Sequence, residues 1–274
     1  MTHERSIGIP ALLKEWREIR RSSQLDLALA SGVSQRHISF IESGRSRPSR
    51  DVLAKLANGL EMPLRACNEL LLAAGFAPLY GERPLDLAEM QHVREALERI
   101  LAHQEPYPAL VTDASWDIVM RNQAAGRILG NRIDLVPDGP HGSERNFMRL
   151  MLGAEGLRSR ICNWPQVENM LLGRLRRDAA LNPGCPSAAL LNEFEFGTNR
   201  SRQIAPAAGS MDPVLVIELR VGHDRLRLFS TFTTFATSHD VSLQELRIDM
   251  SFPADAATRA CLHRLAGIRS SLAS

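Results

Sequence analysis

The sequence predicts two domains: an all-α domain of five short helices at residues 1–78 and an α+β domain with an antiparallel sheet at residues 87–274. A chain of 274 residues exceeds the usual single-domain size of roughly 100 to 150 residues. Apolar residues recur at helical spacing in the first part, and β-prone runs begin only after residue 107. A proline- and glycine-containing stretch predicts a linker at residues 79–86.

Serine and glycine residues mark the boundaries of the predicted helices in the first domain. The first helix, residues 10–22, has one apolar face. Serines then stand where N-caps are expected for the next three helices, at Ser23, Ser34 and Ser49. Gly32 and Gly44 close the second helix, 24–31, and the third, 35–42, because glycine tolerates the left-handed backbone of a C-terminal cap. Pro63 ends the fourth helix, and a fifth covers residues 64–74.

The second and third helices are joined by only a few residues around Gly32. A turn this short makes two helices cross steeply, which is the geometry of a helix-turn-helix unit. Ala28 is small enough for close approach, and Ile38 and Ile41 are expected to face inward. The exposed face of the third helix then carries four residues, which are Gln35, Arg36, Ser39 and Phe40.

Basic residues are concentrated around this unit, although the net charge of the whole chain is only +2. Six arginines between residues 20 and 50 are opposed only by Asp26 and Glu42. Such a local excess is typical of a surface that faces DNA phosphates. The helix start at Gln24 favours an anion, and the loop arginines would anchor on phosphate. The predicted phosphate contacts are therefore Gln24, Arg45, Arg47 and Arg50.

The third helix is predicted to read base edges in the major groove of double-stranded DNA. Glutamine presents the donor and acceptor that adenine matches, and arginine presents the paired donors that guanine matches. Gln35 and Arg36 lie at the start of the helix, where they can form these hydrogen bonds with base edges. Ser39 and Phe40 follow one turn later and are predicted to touch a base or a thymine methyl group.

The second domain begins with a narrow apolar seam. Met90, Val93, Leu97 and Ile100 recur at spacings of three and four, and the seam either covers its own domain or forms a dimer contact. Residues 109–121 then predict a β-hairpin around a turn at 113–115, and Asn122 predicts the N-cap of the next helix.

The order of elements in the rest of the second domain predicts its fold. Residues 145–196 have the apolar faces of helices. The last third contains a hairpin around Gly222, another strand at residues 245–252 and a final helix. Two strands, then helices, then three antiparallel strands predict an α+β arrangement that resembles a PAS domain.

Two stretches resemble known families. QLDLALASGVSQRHISFIESGRSRPSRDVLAKLANGLEMP resembles the Cro-type, XRE-like helix-turn-helix family. PYPALVTDASWDIVMRN, NFMRLML, ICNWPQV and LFSTFTTFATSHDVSLQELRIDMSFPAD resemble the MmyB-like regulator ligand-binding domain. The first resemblance implies base reading by Gln35, Arg36 and Phe40, with Gln24 on phosphate. Phe40 differs from the polar residue often found at that position.

The combined resemblance implies a PAS-like sensor that regulates transcription, commonly as a homodimer, with a fatty acid or another apolar small molecule as ligand. A ligand with a polar head would need a partner such as Arg149, Asn122 or Asn146. The apolar pocket candidates are Phe147, Trp164, Phe229, Phe232 and Met250. The alternative is that the second domain serves dimerisation or binds a partner protein and takes no ligand.

Other functional classes are disfavoured by the sequence. No stretch approaches the roughly 20 apolar residues of a membrane span, and the start lacks the pattern of a secretory signal, so we expect a cytoplasmic protein. The four cysteines are far apart and form no CxxC pair, which disfavours disulfides and zinc. His239–Asp240 and the Cys261/His263 pair are weak signals without a catalytic motif or third ligand. We therefore expect no enzyme activity, cofactor or metal.

Overall fold

The computed structural model describes residues 8–130, 145–182, 184–196, 214–236 and 238–267. The described residues form two compact units. The first contains described parts of Met1–Arg83 and of Thr237–Gln244, and the second contains described parts of Pro84–Ala236 and Glu245–Ser274. The first unit is therefore assembled from two distant stretches of the sequence.

The first unit contains the five predicted helices. They are α1 (Ile9–Ile19), α2 (Gln24–Ser31), α3 (Gln35–Glu42), α4 (Arg50–Gly59) and α5 (Leu64–Ala73). The predicted caps are present: the hydroxyls of Ser23, Ser34 and Ser49 each accept a backbone N–H three residues further along. Helices α1 and α4 end earlier than predicted, because the backbone turns into the left-handed region at Arg21 and Glu61.

The turn between α2 and α3 has the predicted geometry. Gly32 adopts a φ of +70° at the end of α2, and only Gly32, Val33 and Ser34 separate α2 from α3. Leu27 from α2 and Ile38 and Ile41 from α3 are fully buried in one core cluster. The helix-turn-helix prediction is confirmed, because a short left-handed cap and apolar residues on the two facing helices fix their crossing.

The predicted linker at 79–86 is attached to the first unit at its beginning. The buried side chain of Asn68, on α5, accepts the backbone N–H groups of Leu79 and Tyr80 and donates to the Tyr80 carbonyl. Tyr80 also packs against the core of the unit. The compact unit consequently extends to Arg83, beyond the predicted limit at residue 78.

A segment from the last third of the sequence completes the first unit. The backbone N–H of Leu64, the first residue of α5, donates to Gln244 Oε1 at 2.8 Å, and Val241 N–H donates to the Gly81 carbonyl at 2.8 Å. Helix α5 begins after Pro63, which supplies no side-chain cap. Gln244 therefore satisfies a helix-start donor that no neighbour in sequence reaches.

The second unit contains six further α-helices and five strands in its described part, and a seventh α-helix, α11, lies mostly in the first unit. They are α6 (Gln91–His103), β1 (Ala109–Thr112), β2 (Ile118–Arg121), α7 (Gln123–Leu129), α8 (Phe147–Leu152), α9 (Trp164–Leu181), α10 (Pro186–Phe196), β3 (Ile217–Val221), β4 (Asp224–Thr233), α11 (Val241–Glu245), β5 (Arg247–Pro253) and α12 (Ala256–Leu265).

The five strands form one antiparallel sheet of order β2-β1-β5-β4-β3. The last strand lies in the centre, between β1 and β4, so the N-terminal hairpin and the C-terminal hairpin are joined through it. This sheet confirms the predicted PAS-like arrangement. In the register, Asp249 stands opposite Leu110 on one side and Phe232 on the other, which places these three residues on one face.

The apolar seam before the sheet is buried within the chain. Met90, Val93 and Leu97 are each under 7% exposed, and Leu101 rather than Ile100 completes the buried set. The seam therefore covers its own domain, as one of the two interpretations predicted. The other interpretation, a dimer contact, is wrong.

Candidate DNA-binding surface and ligand cavity

The start of α3 carries the predicted base-reading residues. Gln35 and Arg36 are exposed, and Ser39 and Phe40 are half-buried one turn later. The Arg36 guanidinium lies over the Phe40 ring, 5.4 Å from its centroid. A cation held over a ring loses rotamer freedom, so Phe40 restricts where Arg36 points.

The loop after α3 is fixed by its backbone. Gly44 adopts a φ of +72°, and the N–H groups of Arg45 and Ser46 both donate to the Phe40 carbonyl, at 2.8 and 3.2 Å. The Gly44 N–H bonds the Ile41 carbonyl at 3.0 Å, which completes a Schellman-type helix end. The three predicted phosphate arginines that follow are all exposed, namely Arg45, Arg47 and Arg50.

The side chain of Gln24 is held by the protein itself. Gln24 Nε2 donates to Glu42 Oε2 at 2.8 Å, and Arg17 donates to both oxygens of Glu42, at 2.8 and 3.1 Å. We call these three residues the Glu42 cluster. It ties α1, α2 and the end of α3 together. Because the Gln24 side chain is used within the protein, the groups at the start of α2 that suit a phosphate contact are its backbone amides.

The Glu42 carboxylate is only 6% exposed, and Arg17 16%. Burial raises the pKa of Glu42, but the hydrogen bonds from Arg17 and Gln24 outweigh it and hold the pKa below its usual value. The sequence analysis counted Glu42 only as an isolated negative charge. Spacing gave no signal for this cluster, since Arg17 and Glu42 are 25 positions apart.

The second unit contains a cavity of about 110 Å³ between the sheet and three helices. One wall is the sheet face that carries Leu110, Leu228 and Asp249. The other wall comes from α7, α8 and α9. The apolar lining includes Leu110, Trp116, Ala125, Ile128, Leu129, Phe147, Met148, Met151, Leu157, Met170, Leu171, Ile217, Leu219, Leu228 and Phe232.

Phe147 and Phe232 line the cavity, as predicted, but the other six predicted pocket residues do not. Phe229 and Met250 alternate with cavity-lining neighbours on β4 and β5, so they lie on the opposite sheet face, where Phe229 stacks on Phe252. Trp164 lies at the start of α9, under the Arg158 guanidinium at 5.1 Å.

The three predicted polar head partners are engaged in local structure. Asn122 caps α7 and bonds the backbone of Tyr107 and Ala109. Asn146 caps α8. The Arg149 guanidinium pairs with Glu193 at 2.8 Å. Their polar groups hold helix starts and helix α10 in place, and none of the three residues lines this cavity.

A different set of polar residues forms one end of the cavity: Arg174, Ser230, Asp249 and Ser251. Arg174 is on α9, and its guanidinium lies 3.4 Å from the centroid of Phe232 and 4.7 Å from that of Trp116. The sequence alone did not predict this set. The signal was present in β5, where Arg247, Asp249 and Ser251 alternate with apolar residues, although a polar strand face usually meets water.

Both charged groups of this set have shifted pKa values. Burial raises the pKa of Asp249 to about 6, against the lowering effects of the Ser230 hydroxyl and the positive charge of Arg174. Burial and the neighbouring Arg247 lower the pKa of Arg174 to about 10. Shifts of this kind on a cavity wall are typical of functional sites.

The weak enzyme and metal signals occupy ordinary positions. Asp240 accepts the Ser242 N–H in a turn at 3.0 Å, and His263 lies edge-on to Tyr107, with ring centroids 6.0 Å apart. The part of the chain that the structure describes contains no group of three or more His, Cys, Asp or Glu side chains placed to hold a metal. Among the same residues, no helix is long and apolar enough to cross a membrane.

Comparison with protein families covers both units. A helix-turn-helix family model matches residues 13–66, and the model of the MmyB-like transcription regulator ligand binding domain matches residues 93–265, more than half of the chain. The chain belongs to the MmyB-like regulator family. The sequence-based resemblance to both families is thus confirmed.

Curated relatives share a shorter stretch. Uncharacterized HTH-type transcriptional regulators of Mycobacterium bovis and of Mycobacterium tuberculosis are 39% identical over 64 residues, which is 23% of this MmyB-like chain. The chain spans about a quarter of the length of these relatives, 25%. A solved structure of an RNA-binding light-oxygen-voltage receptor matches 93% of this chain and 62% of that one, at 12% identity and a TM-score of 0.27.

Proposed function

We propose that this MmyB-like protein is a sequence-specific DNA-binding transcription regulator whose second domain senses a small, apolar molecule. The observation that supports DNA binding best is the exposed start of α3, backed by the fixed arginine loop. In this proposal Gln35 and Arg36 read base edges, assisted by Ser39 and Phe40. Phosphates are bound by the start of α2 at Gln24 and by the loop arginines Arg45, Arg47 and Arg50.

The cavity of the second unit supports the sensing role. Its walls are mainly aliphatic and aromatic, with a few polar groups at one end, which is the usual composition of a small-molecule site. A fatty acid, as the resemblance implies, has an apolar body that suits walls of this composition. The alternative, a dimerisation or partner-binding module without a ligand, does not account for a lined internal cavity. We retain the homodimer and the cytoplasmic location as parts of the proposal.

Binding to DNA is tested by comparing two arginine variants on a selected operator and on random DNA. Arg36→Ala is expected to relax preference at one base position, at a cost of about 1 to 3 kcal/mol for the preferred base. Arg47→Ala is expected to weaken binding to all sequences alike and to reduce the salt dependence. Fluorescence anisotropy over a salt series measures both effects.

A matched control is Arg127→Ala, which changes an arginine of the second unit that pairs with Glu105. It should leave DNA affinity unchanged. The assignment of roles fails if Arg36→Ala and Arg47→Ala lose the same affinity on operator and random DNA. Operator binding that does not respond to any small molecule would favour the alternative for the second domain.

A further inference from the structure

We propose that Arg174 and Asp249 form a proton-linked head-group subsite, in which Arg174 receives the anionic head of a small apolar acid and Asp249 takes up a proton as that head enters. This inference rests on the sensing role proposed above and adds to it the chemical class of the ligand and its dependence on pH.

Arg174 has donors that the protein leaves open. Its guanidinium carbon lies 3.4 Å from the centroid of the Phe232 ring and 4.7 Å from that of Trp116, and neither ring offers a conventional acceptor. Among the described residues, no hydrogen bond or ion pair satisfies its N–H groups. A guanidinium carries five N–H donors at its edge and stays charged at neutral pH. A half-buried arginine in this state is completed by an acceptor that comes from outside the chain.

Arg247 shows why the protein itself does not supply that acceptor. Its guanidinium also lies over Trp116, 4.2 Å from the ring centroid, and pairs with Asp178 at 2.9 Å. Asp178 further accepts the Ser187 hydroxyl. Of the two carboxylates whose charge raises the pKa of Arg174, Asp178 is thus already paired with Arg247. Arg174 itself lines the cavity.

Asp249 lies on the same polar end of the cavity. The charged and polar groups that act on it are Arg174 from α9 and the Ser230 hydroxyl from β4. Arg177, Asp178 and Arg247 act on Arg174 in turn. A second anion placed beside an ionised Asp249 would repel it, and protonation of Asp249 relieves that repulsion. Since the pKa of Asp249 is about 6 in the unliganded protein, the proton is available near neutral pH.

The volume of the cavity limits the apolar body of the ligand. At about 110 Å³, it is somewhat smaller than an engineered cavity of roughly 150 Å³ that binds benzene. One ring or a short alkyl chain therefore fills it. The class of ligand that fits both the walls and Arg174 is a small aromatic or short-chain carboxylic acid.

Isothermal titration calorimetry of the full chain tests this with matched probes. Benzoate and hexanoate are compared with benzyl alcohol and 1-hexanol, at pH 6 and at pH 8. The acids should bind about tenfold to a hundredfold more tightly than the alcohols at pH 6, since a charge-assisted bond is lost in the alcohol. Acid affinity should fall by up to about tenfold per pH unit above pH 6, because the proton taken up becomes scarcer.

Three variants assign the effects to residues. Arg174→Met should remove the preference for acids, whereas Arg177→Met, an exposed arginine on the same helix, should keep it. Asp249→Asn should keep acid binding and flatten its pH dependence. If Arg174→Met does not fold, as judged by circular dichroism, Arg174→Lys replaces it and should lose most of the preference, since lysine lacks the planar donor fork.

The outcomes separate this subsite from the sensing role. Alcohols that bind as tightly as acids, or an acid preference that survives in Arg174→Met, would overturn the subsite and leave apolar sensing intact. A pH dependence that persists in Asp249→Asn would overturn the proton link. If neither probe series binds, and neither changes operator affinity, both the subsite and the sensing role fail.

Discussion

The two units each contain a partly buried arginine close to a buried carboxylate, and the two groups differ in how they are satisfied. In the Glu42 cluster, Arg17 and Gln24 supply three hydrogen bonds to the carboxylate, and its pKa is lowered. In the cavity, Arg174 lacks an acceptor among the described residues, and the pKa of Asp249 is raised to about 6.

The difference indicates two uses of buried charge. A carboxylate whose acceptors are all filled holds helices together and resists protonation. A carboxylate and a guanidinium that are near each other but lack some of their hydrogen bonds lower the stability of the folded protein. Such a site is retained where a bound ligand supplies the missing hydrogen bonds. The opposite pKa shifts make the contrast measurable, because the two units should respond to pH with opposite sign.

The largest effect is expected from Glu42→Ala. Removal of the carboxylate leaves the Arg17 guanidinium buried without its partner, and breaking a buried pair in this way costs about 3 to 5 kcal/mol in free energy of unfolding. Urea denaturation followed by circular dichroism measures it. Glu18→Ala, which breaks the exposed Lys14–Glu18 pair, is the matched control and should cost less than about 1 kcal/mol. Equal losses in the two variants would contradict a structural role for the cluster.

The sign of the pH response follows from the lowered pKa of Glu42. Below its usual pKa the unfolded state takes up a proton that the folded state resists, so the contribution of Glu42 is lost as the pH falls through the folded pKa. The difference between wild type and Glu42→Gln should therefore shrink in acid. A difference that grows as the pH falls would show that the carboxylate is not held ionised.

A smaller and opposite effect is expected from Asp249→Asn. The folded pKa of about 6 lies above the ordinary aspartate pKa of 3.8, so wild-type stability falls as the pH rises between these values and stays reduced above them. The asparagine variant should gain up to about 3 kcal/mol at pH 8, from roughly two pKa units, and nothing below pH 4.

Thermal unfolding of the ligand-free protein at pH 4 and pH 8 measures this gain. Asp224→Asn is the control, because the Asp224 side chain is 44% exposed and pairs with Arg264, so its loss should bring no gain at either pH. An Asp249→Asn protein that is less stable than wild type at pH 8 would show that Asp249 is as well satisfied as Glu42, and the contrast between the units would disappear.

The smallest effect is expected from Gln24→Ala. It removes one of the three hydrogen bonds to Glu42, and a bond to a charged acceptor is worth about 1.5 kcal/mol or somewhat more. Gln35→Ala changes an exposed glutamine at the same first position of α3 and should stay within about 0.5 kcal/mol of wild type. If both variants are neutral, Gln24 is free to contact phosphate with its side chain.

Local signals explain what the sequence predicted well. The N-cap serines accept N–H groups only three residues away, at Ser23, Ser34 and Ser49. The C-cap at Gly32 depends only on the φ angle of that residue. Both features are local, so no tertiary information was needed. The succession of strands and helices along the second domain followed from alternation and from the position of each hairpin. These features together located the helix-turn-helix unit and the sheet.

Long-range partners explain what the sequence did not predict. Arg174 lies one position before Leu175, on the edge of the apolar face of α9, and the polar residues of β5 resemble those of a solvated strand. Only the pairing of β5 between β1 and β4 turns Asp249 toward the cavity. Asn122 and Asn146 were chosen as ligand partners, but their amides were already required as helix caps.

The segment that carries Gln244 has a consequence for how the protein is made. The ribosome synthesises α1 to α5 long before residue 244. The start of α5 therefore lacks its Gln244 contact until 180 further residues have been added. The first unit therefore reaches its final form only after residue 244 has been synthesised, and a product that ends before that residue carries an incomplete helix-turn-helix unit.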